Sequence, residues 1–147
     1  MRGIRGISKE LDTLIESLPS SQLHAVLELA FALARDDFPD DPVIAGAVDR
    51  FCLGGQLLDQ EFARELAQKS KEADERYTSL EEAGYDRATY EVDFCKARVL
   101  YALSLVFGTN EITLALVDKV IYELGHGAKN IDFFAKTLEE RIRNRLK

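Results

Sequence analysis

The stretch from Phe94 to Phe107 limits the possible folds more than any other part of the sequence. After Arg98 the chain carries no charged residue until Glu111. A helix without a polar face cannot lie against water, so neighbouring elements must surround it. We therefore predict a buried central helix over about residues 86–108, with the other helices packed around it.

The remaining apolar residues recur at helical spacing, and no alternating pattern indicates strands. Ser8 and Asp41 precede helical segments as N-cap residues, and Gly84 ends another. No fixed period recurs, which argues against a helical repeat array. We predict an all-α, compact, single-domain bundle of about six to seven helices over residues 1–147.

Local signals also place individual helix ends. The second helix is expected to start after Ser20 or Ser21 and to pack against the central helix. The sixth helix is expected over residues 111–124, with Thr109 or Asn110 as its cap and a glycine pair at its end.

Composition and charge favour a soluble protein of the cytoplasm. The chain is 46% hydrophobic and 31% charged, which is too apolar for disorder. Its net charge of −7 disfavours nucleic-acid binding and suits a basic protein partner. The longest uncharged run, residues 99–110, is too short to span a bilayer, and no signal peptide precedes it. Cys52 and Cys95 suggest neither a disulfide framework nor a zinc site.

An acidic corner between the second and third helices is the candidate metal site. It consists of Asp36, Asp37, Asp40 and Asp41. Magnesium and calcium prefer carboxylate oxygens, although this spacing is not that of an EF-hand loop. Aspartates also end and cap helices, and Asp41 stands directly before a proline, as an N-cap does. Both interpretations remain open, and no cofactor is predicted.

Two smaller polar groupings also have a chemical interpretation. His24 and Glu28 stand four residues apart, a spacing that suits two metal ligands or a proton donor beside a carboxylate. A surface hydrogen bond explains the same spacing. His126, the second histidine, lies between two glycines. Cys95 next to Lys96 suggests either a lowered thiol pKa or a buried structural cysteine.

The fourth helix, about residues 59–83, has a narrow apolar seam and is otherwise polar. Such a seam fits a helix lying along a bundle as well as one strand of a coiled-coil-like contact. A thin seam buries little area, so this helix is expected to need a partner. The predicted partner-binding residues are Leu66, Ala73, Tyr77, Leu80, Glu72 and Glu75. A solvated helix with internal ion pairs is the alternative.

Because no catalytic motif stands out, the sequence favours a protein–protein interaction module without catalysis of its own. A regulatory subunit, an adaptor or an immunity-type inhibitor would fit, using acidic helical surface to hold its partner. One alternative is a metal-dependent enzyme or metal-binding protein that uses the acidic corner or the pair His24 and Glu28. The other is a self-associating structural protein that forms a homodimer.

Overall fold

The computed structural model describes residues 3–54 and 58–146. These ranges contain eight α-helices, one 3₁₀ turn over Ser20–Gln22 and no strand, and no helix in them is long and apolar enough to cross a membrane. The helices are α1 (Gly3–Ile7), α2 (Lys9–Glu16), α3 (Leu23–Asp36), α4 (Pro42–Cys52), α5 (Gln60–Glu82), α6 (Arg87–Phe107), α7 (Leu114–His126) and α8 (Ile131–Leu146). The prediction of a compact all-α bundle is confirmed.

Helix α6 lies at the centre of the bundle through its second half. Leu100, Leu103 and Val106 are fully buried there, and α6 packs against α4, α5 and α7. Helix α7 extends this centre, because it contacts α1, α3 and α8 in addition to α6. Helix α3 corresponds to the second helix predicted from the sequence, which was expected to pack against the central helix. Its main contacts are instead with α4, α7 and α8.

Most of the helix caps that the sequence indicated are present. Ser8 accepts a hydrogen bond from the amide of Leu11 at the start of α2, and Asp41 accepts two at the start of α4. Helix α7 begins three residues later than predicted, because Thr113 caps it and Thr109 bonds within its own turn to Glu111. It also runs two residues further, to His126.

The short helix α1 was not predicted, because its cap comes from the other end of the chain. The amides of Gly3 and Ile4 donate to the two carboxylate oxygens of Asp118, at 2.9 and 3.0 Å. Ile4 is fully buried. Asp118 therefore accepts from two of the free amides at the start of α1, as an N-cap residue would, and it connects this helix to α7.

Helices α5 and α6 form an antiparallel hairpin with a tight turn over residues 83–86. Gly84 has a φ of +85°, a left-handed conformation that glycine adopts without strain. The amide of Tyr85 donates to the carbonyl of Leu80 at 3.1 Å, which closes the end of α5. Asp86 then accepts from the amide of Thr89 at 3.0 Å and starts α6.

The apolar seam of α5 packs against α6 of the same chain. Leu66 and Ala73 are 1% and 4% exposed, and the hydroxyl of Ser70 donates to the carbonyl of Ala97 at 2.8 Å. The docking role predicted for Leu66 and Ala73 does not fit this burial. The narrow seam suffices because α6 is apolar enough to cover it.

Candidate functional site

The α5–α6 hairpin extends beyond the hydrophobic core of the bundle. Ala63 and Leu66 are the core residues from α5, and the core part of α6 begins at Cys95. Within the described part of the chain, the extensive contacts of α5 are with α6 alone. We call residues 75–93, on the far side of this boundary, the hairpin tip.

Aromatic rings hold the two helices together at the beginning of the tip. The ring of Tyr77 lies 5.6 Å from that of Tyr90 and 5.3 Å from that of Phe94, measured between centroids. Arg76 and Asp93 add an ion pair at 3.6 Å. Tyr77 and Leu80, two of the predicted partner-binding residues, are thus half-buried in the hairpin.

Arg98 joins the hairpin to the bundle. Its guanidinium contacts Asp74 of α5 at 3.0 Å and Glu123 of α7 at 3.3 Å. It also lies 5.7 Å from the centre of the Phe94 ring. One side chain of α6 therefore connects this helix to α5 and to α7.

The hairpin tip carries more than half of the net charge of the protein. It contains six carboxylates and two arginines, a net charge of −4 out of −7 for the chain. The two arginines pair with Asp93 and Glu91. Four carboxylates form no ion pair with another described residue: Glu75, Glu81, Glu82 and Asp86.

Two large apolar side chains lie exposed on this acidic surface. Tyr85 in the turn is 56% exposed, and Val92 on α6 is 54% exposed. Single exposed apolar residues are common on proteins, but here they coincide with the concentrated charge. The tip therefore combines concentrated negative charge with two exposed apolar side chains.

A cleft of about 300 Å³ adjoins the tip, and we call it the corner cleft. Phe38 and Cys95 form its least exposed part, at 9% and 8% exposure. The remaining lining residues are more exposed: Asp37, Ala88, Glu91, Val92 and Lys129. The cleft thus lies between the acidic corner and the first turns of α6.

A second cleft of about 240 Å³ shares Asp37 and Lys129 with the corner cleft. The amide of Lys129 donates to the carboxylate of Asp37 at 3.2 Å, so these two residues are held together where they line both clefts. The second cleft also contains Phe133 of α8, which is 64% exposed.

The aspartates of the acidic corner have separate structural roles. Asp41 caps α4 and contacts Lys96 at 3.0 Å. Burial alone would raise the pKa of Asp41, but the amide of Ile44 and the hydrogen bond and charge of Lys96, with a further amide, outweigh it and lower this pKa. Asp36 and Asp40 are exposed. Among the described residues no three acidic, histidine or cysteine side chains are placed to hold a metal ion together.

The two histidines have different surroundings. His24 Nδ1 lies 2.8 Å from the carboxylate of Glu28, and its ring stacks on Phe51 at 4.4 Å. His126 is exposed at the end of α7, 4.4 Å from the ring of Tyr122. The hydrogen bond on the surface of α3 is therefore present, and no third ligand joins it within the described residues.

The pKa of the Cys95 thiol is raised, although the neighbouring Lys96 suggested that it could be lowered. Burial raises its pKa, and the charges of Glu91 and Asp37 raise it further against the opposing charge of Lys129. Burial raises the pKa of Cys52 as well, with the charges of nearby carboxylates. Neither cysteine has the environment of a nucleophilic thiolate.

Sequence reasoning found the acidic face of α5 but not the tip. Glu72 and Glu75 are exposed as predicted, and Glu72 accepts a hydrogen bond from Gln68. Tyr85 and Val92 were overlooked because single apolar residues give no periodic signal. The clustering of charge within residues 75–93 was visible in the sequence and could have indicated the tip.

Fold and surface together define an all-α bundle with a projecting acidic helical hairpin. The chain matches no known family model, no curated protein and no solved structure.

Proposed function

We propose that this protein is an interaction module that binds a basic protein partner through the hairpin tip. The observation that carries the proposal is the coincidence of a net charge of −4 with exposed Tyr85 and Val92 on a projecting element. Charge of one sign speeds the encounter with an oppositely charged partner, and apolar side chains slow its release. A regulatory subunit, an adaptor or an immunity-type inhibitor would bind its partner in this way.

A second copy of the chain is a poorer occupant of the tip than a basic protein. Two tips with a net charge of −4 each repel one another, and the four unpaired carboxylates gain no counter-charge in such a contact.

The two free cysteines support the cytoplasmic location expected from the sequence, because thiols persist in a reducing compartment.

The experiment compares two charge-reversal variants as immobilised bait in an extract of the source cells. The tip variant carries Glu81→Lys and Glu82→Lys, and the base variant carries Glu61→Lys and Glu65→Lys. Both pairs are exposed and lie on α5, about 30 Å apart along the helix. The two variants therefore have the same net charge and differ in where the charge was reversed.

We expect the wild-type and base baits to capture the same basic proteins at low salt. The tip variant should lose them. Raising the ionic strength should weaken the capture, because screening reduces the attraction between exposed charges. Equal capture by all three baits, or equal loss in both variants, would contradict the proposal.

A further inference from the structure

We propose that the corner cleft receives an apolar side chain of a basic amphipathic helix on the partner. This inference rests on the proposed function and specifies how the partner is held. The cleft is continuous with the tip, because Ala88, Glu91 and Val92 belong to both. A partner bound at the tip would therefore reach the cleft without a second contact surface.

The floor and one wall of the corner cleft are apolar. Phe38 and Cys95 lie at its base, and exposed Val92 stands beside them. Ala88, Val92 and Cys95 follow one another at spacings of four and three, so they form one apolar strip along two turns of α6. An apolar side chain in this cleft would remove the exposed surface of Val92 from water.

The charges around the cleft determine the rest of the partner's chemistry. Asp37 of the acidic corner and Glu91 of α6 line the cleft, and the exposed Asp36 precedes Asp37 in the chain. The occupant therefore needs basic residues on both sides of its apolar anchor. Among the described residues that line the cleft, Lys129 is the one cation, and its charge opposes such a ligand.

A helix suits this surface better than an extended peptide. Extended peptides usually bind by adding a strand to an exposed sheet edge, and the described residues contain no strand. A helix has its own backbone hydrogen bonds and presents anchors at positions i, i+3, i+4 and i+7, which matches the spacing of the strip on α6. The partner segment is thus an amphipathic helix with a leucine-type stripe flanked by lysine or arginine.

The probes are two synthetic peptides of about 18 residues, enough for five helical turns. They have the same number of lysines, and the second has serine in place of every leucine of the first. Fluorescence anisotropy measures their binding to the wild type and to Val92→Ser, Leu53→Ser, Lys129→Gln and the tip variant. Leu53 is the matched control, because it is 86% exposed and lies outside the cleft.

We expect the leucine peptide to bind at least about tenfold more tightly than the serine peptide, a difference typical of one buried apolar side chain. Val92→Ser should remove most of this difference, and Leu53→Ser should not. Lys129→Gln should tighten the binding of the leucine peptide about two- to threefold.

Four outcomes would overturn the inference. Equal binding of the two peptides, or an equal effect of Val92→Ser and Leu53→Ser, would mean that the cleft takes no part in binding. If the tip variant nevertheless loses binding, the proposed function still holds. Weaker binding by Lys129→Gln would contradict the predicted charge of the ligand. Failure of both peptides to bind the wild type overturns the inference, and the extract experiment then decides separately on the proposed function.

Discussion

At the scale of single residues, a few charged side chains each connect two or more helices. Arg98 joins α5, α6 and α7, and Asp118 joins α1 to α7. Both are partly buried, so removing either one leaves groups that water reaches poorly. Such residues are expected to matter more for stability than the ion pairs on the outer faces of the helices.

Arg98→Met provides the first test of this view. Glu123 is 12% exposed in its side chain, and without Arg98 its charge has no partner at 3.3 Å. We expect a loss of about 2 kcal/mol in the free energy of unfolding, less than for a fully buried pair. Urea unfolding measures it.

The matched control for this variant is Arg87→Met, which removes an exposed ion pair with Glu91 at 3.4 Å. A change within about 0.5 kcal/mol is expected there. Equal losses in the two variants would show that Arg98 has no special role.

The charge of Asp41 is expected to stabilise the folded protein in a way that depends on pH. Its pKa in the folded protein lies below the ordinary value of 3.8. The stabilisation from its charge is therefore complete above the pKa of the unfolded chain and is lost as the pH falls through the lower folded value. Asp41→Asn keeps a good N-cap residue but removes the ion pair with Lys96.

We expect Asp41→Asn to cost about 1 kcal/mol of unfolding free energy near pH 7, and progressively less at acid pH. Urea unfolding of the wild type and the variant, near pH 7 and at acid pH, measures the difference in unfolding free energy. Asp40→Asn is the control, because Asp40 is exposed and caps no helix, and it should change stability little at either pH. A cost for Asp41→Asn that does not change with pH would contradict the assigned role of its charge.

At the scale of the helices, two glycines of similar appearance in the sequence have opposite surroundings. A Cβ atom on Gly127 would lie 2.7 Å from Cβ of Arg98 and 3.0 Å from the carbonyl oxygen of Cys95. Gly127 has an ordinary φ of −90°, so its requirement is for space between α6 and the end of α7. A Cβ atom on Gly46 in α4 would meet nothing within 4 Å.

Gly127→Ala is therefore expected to destabilise the protein by about 1–3 kcal/mol, because α6 and α7 must separate. Gly46→Ala should stabilise it by about 0.5–1 kcal/mol, since alanine has the higher helix propensity. Thermal unfolding followed by circular dichroism distinguishes the two variants. Stabilisation by both would mean that the contact at Gly127 is loose.

Local helix signals could be read from the sequence, and signals from distant residues could not. Asp41 and Ser8 were identified as caps because the bonds they make lie within three residues. Helix α1 was missed because its cap, Asp118, is more than a hundred residues away. The seam of α5 was recognised, but the sequence left open what covers it, because a sequence pattern gives the width of an apolar stripe and not the element that packs on it.

At the scale of the whole molecule, one hydrophobic core runs through all eight described helices. Its members include Leu66 of α5 and Ile142 of α8, which are 1% and 0% exposed and lie on helices without extensive mutual contact. A shared core favours a single cooperative unfolding transition. The buried half of α6 was predictable from its composition, whereas the role of α7 as a second centre was not, because helical spacing does not fix the order of packing.

We expect Leu66→Ala and Ile142→Ala each to lower the free energy of unfolding by about 2–5 kcal/mol. Both should shift one common transition, with coincident curves by far- and near-ultraviolet circular dichroism. Leu53→Ala, at a site 86% exposed, is the control and should leave the midpoint nearly unchanged. A two-step curve for either core variant would mean that the helices form more than one cooperative unit.

Because the hairpin tip lies outside the core, the turn end of the α5–α6 hairpin is expected to unfold locally more often than the end inside the core. Local unfolding that begins at the turn over residues 83–86 breaks few buried contacts until it reaches Tyr77 and Arg98. Amide hydrogens should therefore exchange fastest at the turn and progressively more slowly toward Val99, which is 1% exposed. A partner bound at the tip would slow the fast end of this gradient, and the slowed amides would outline the surface that it covers.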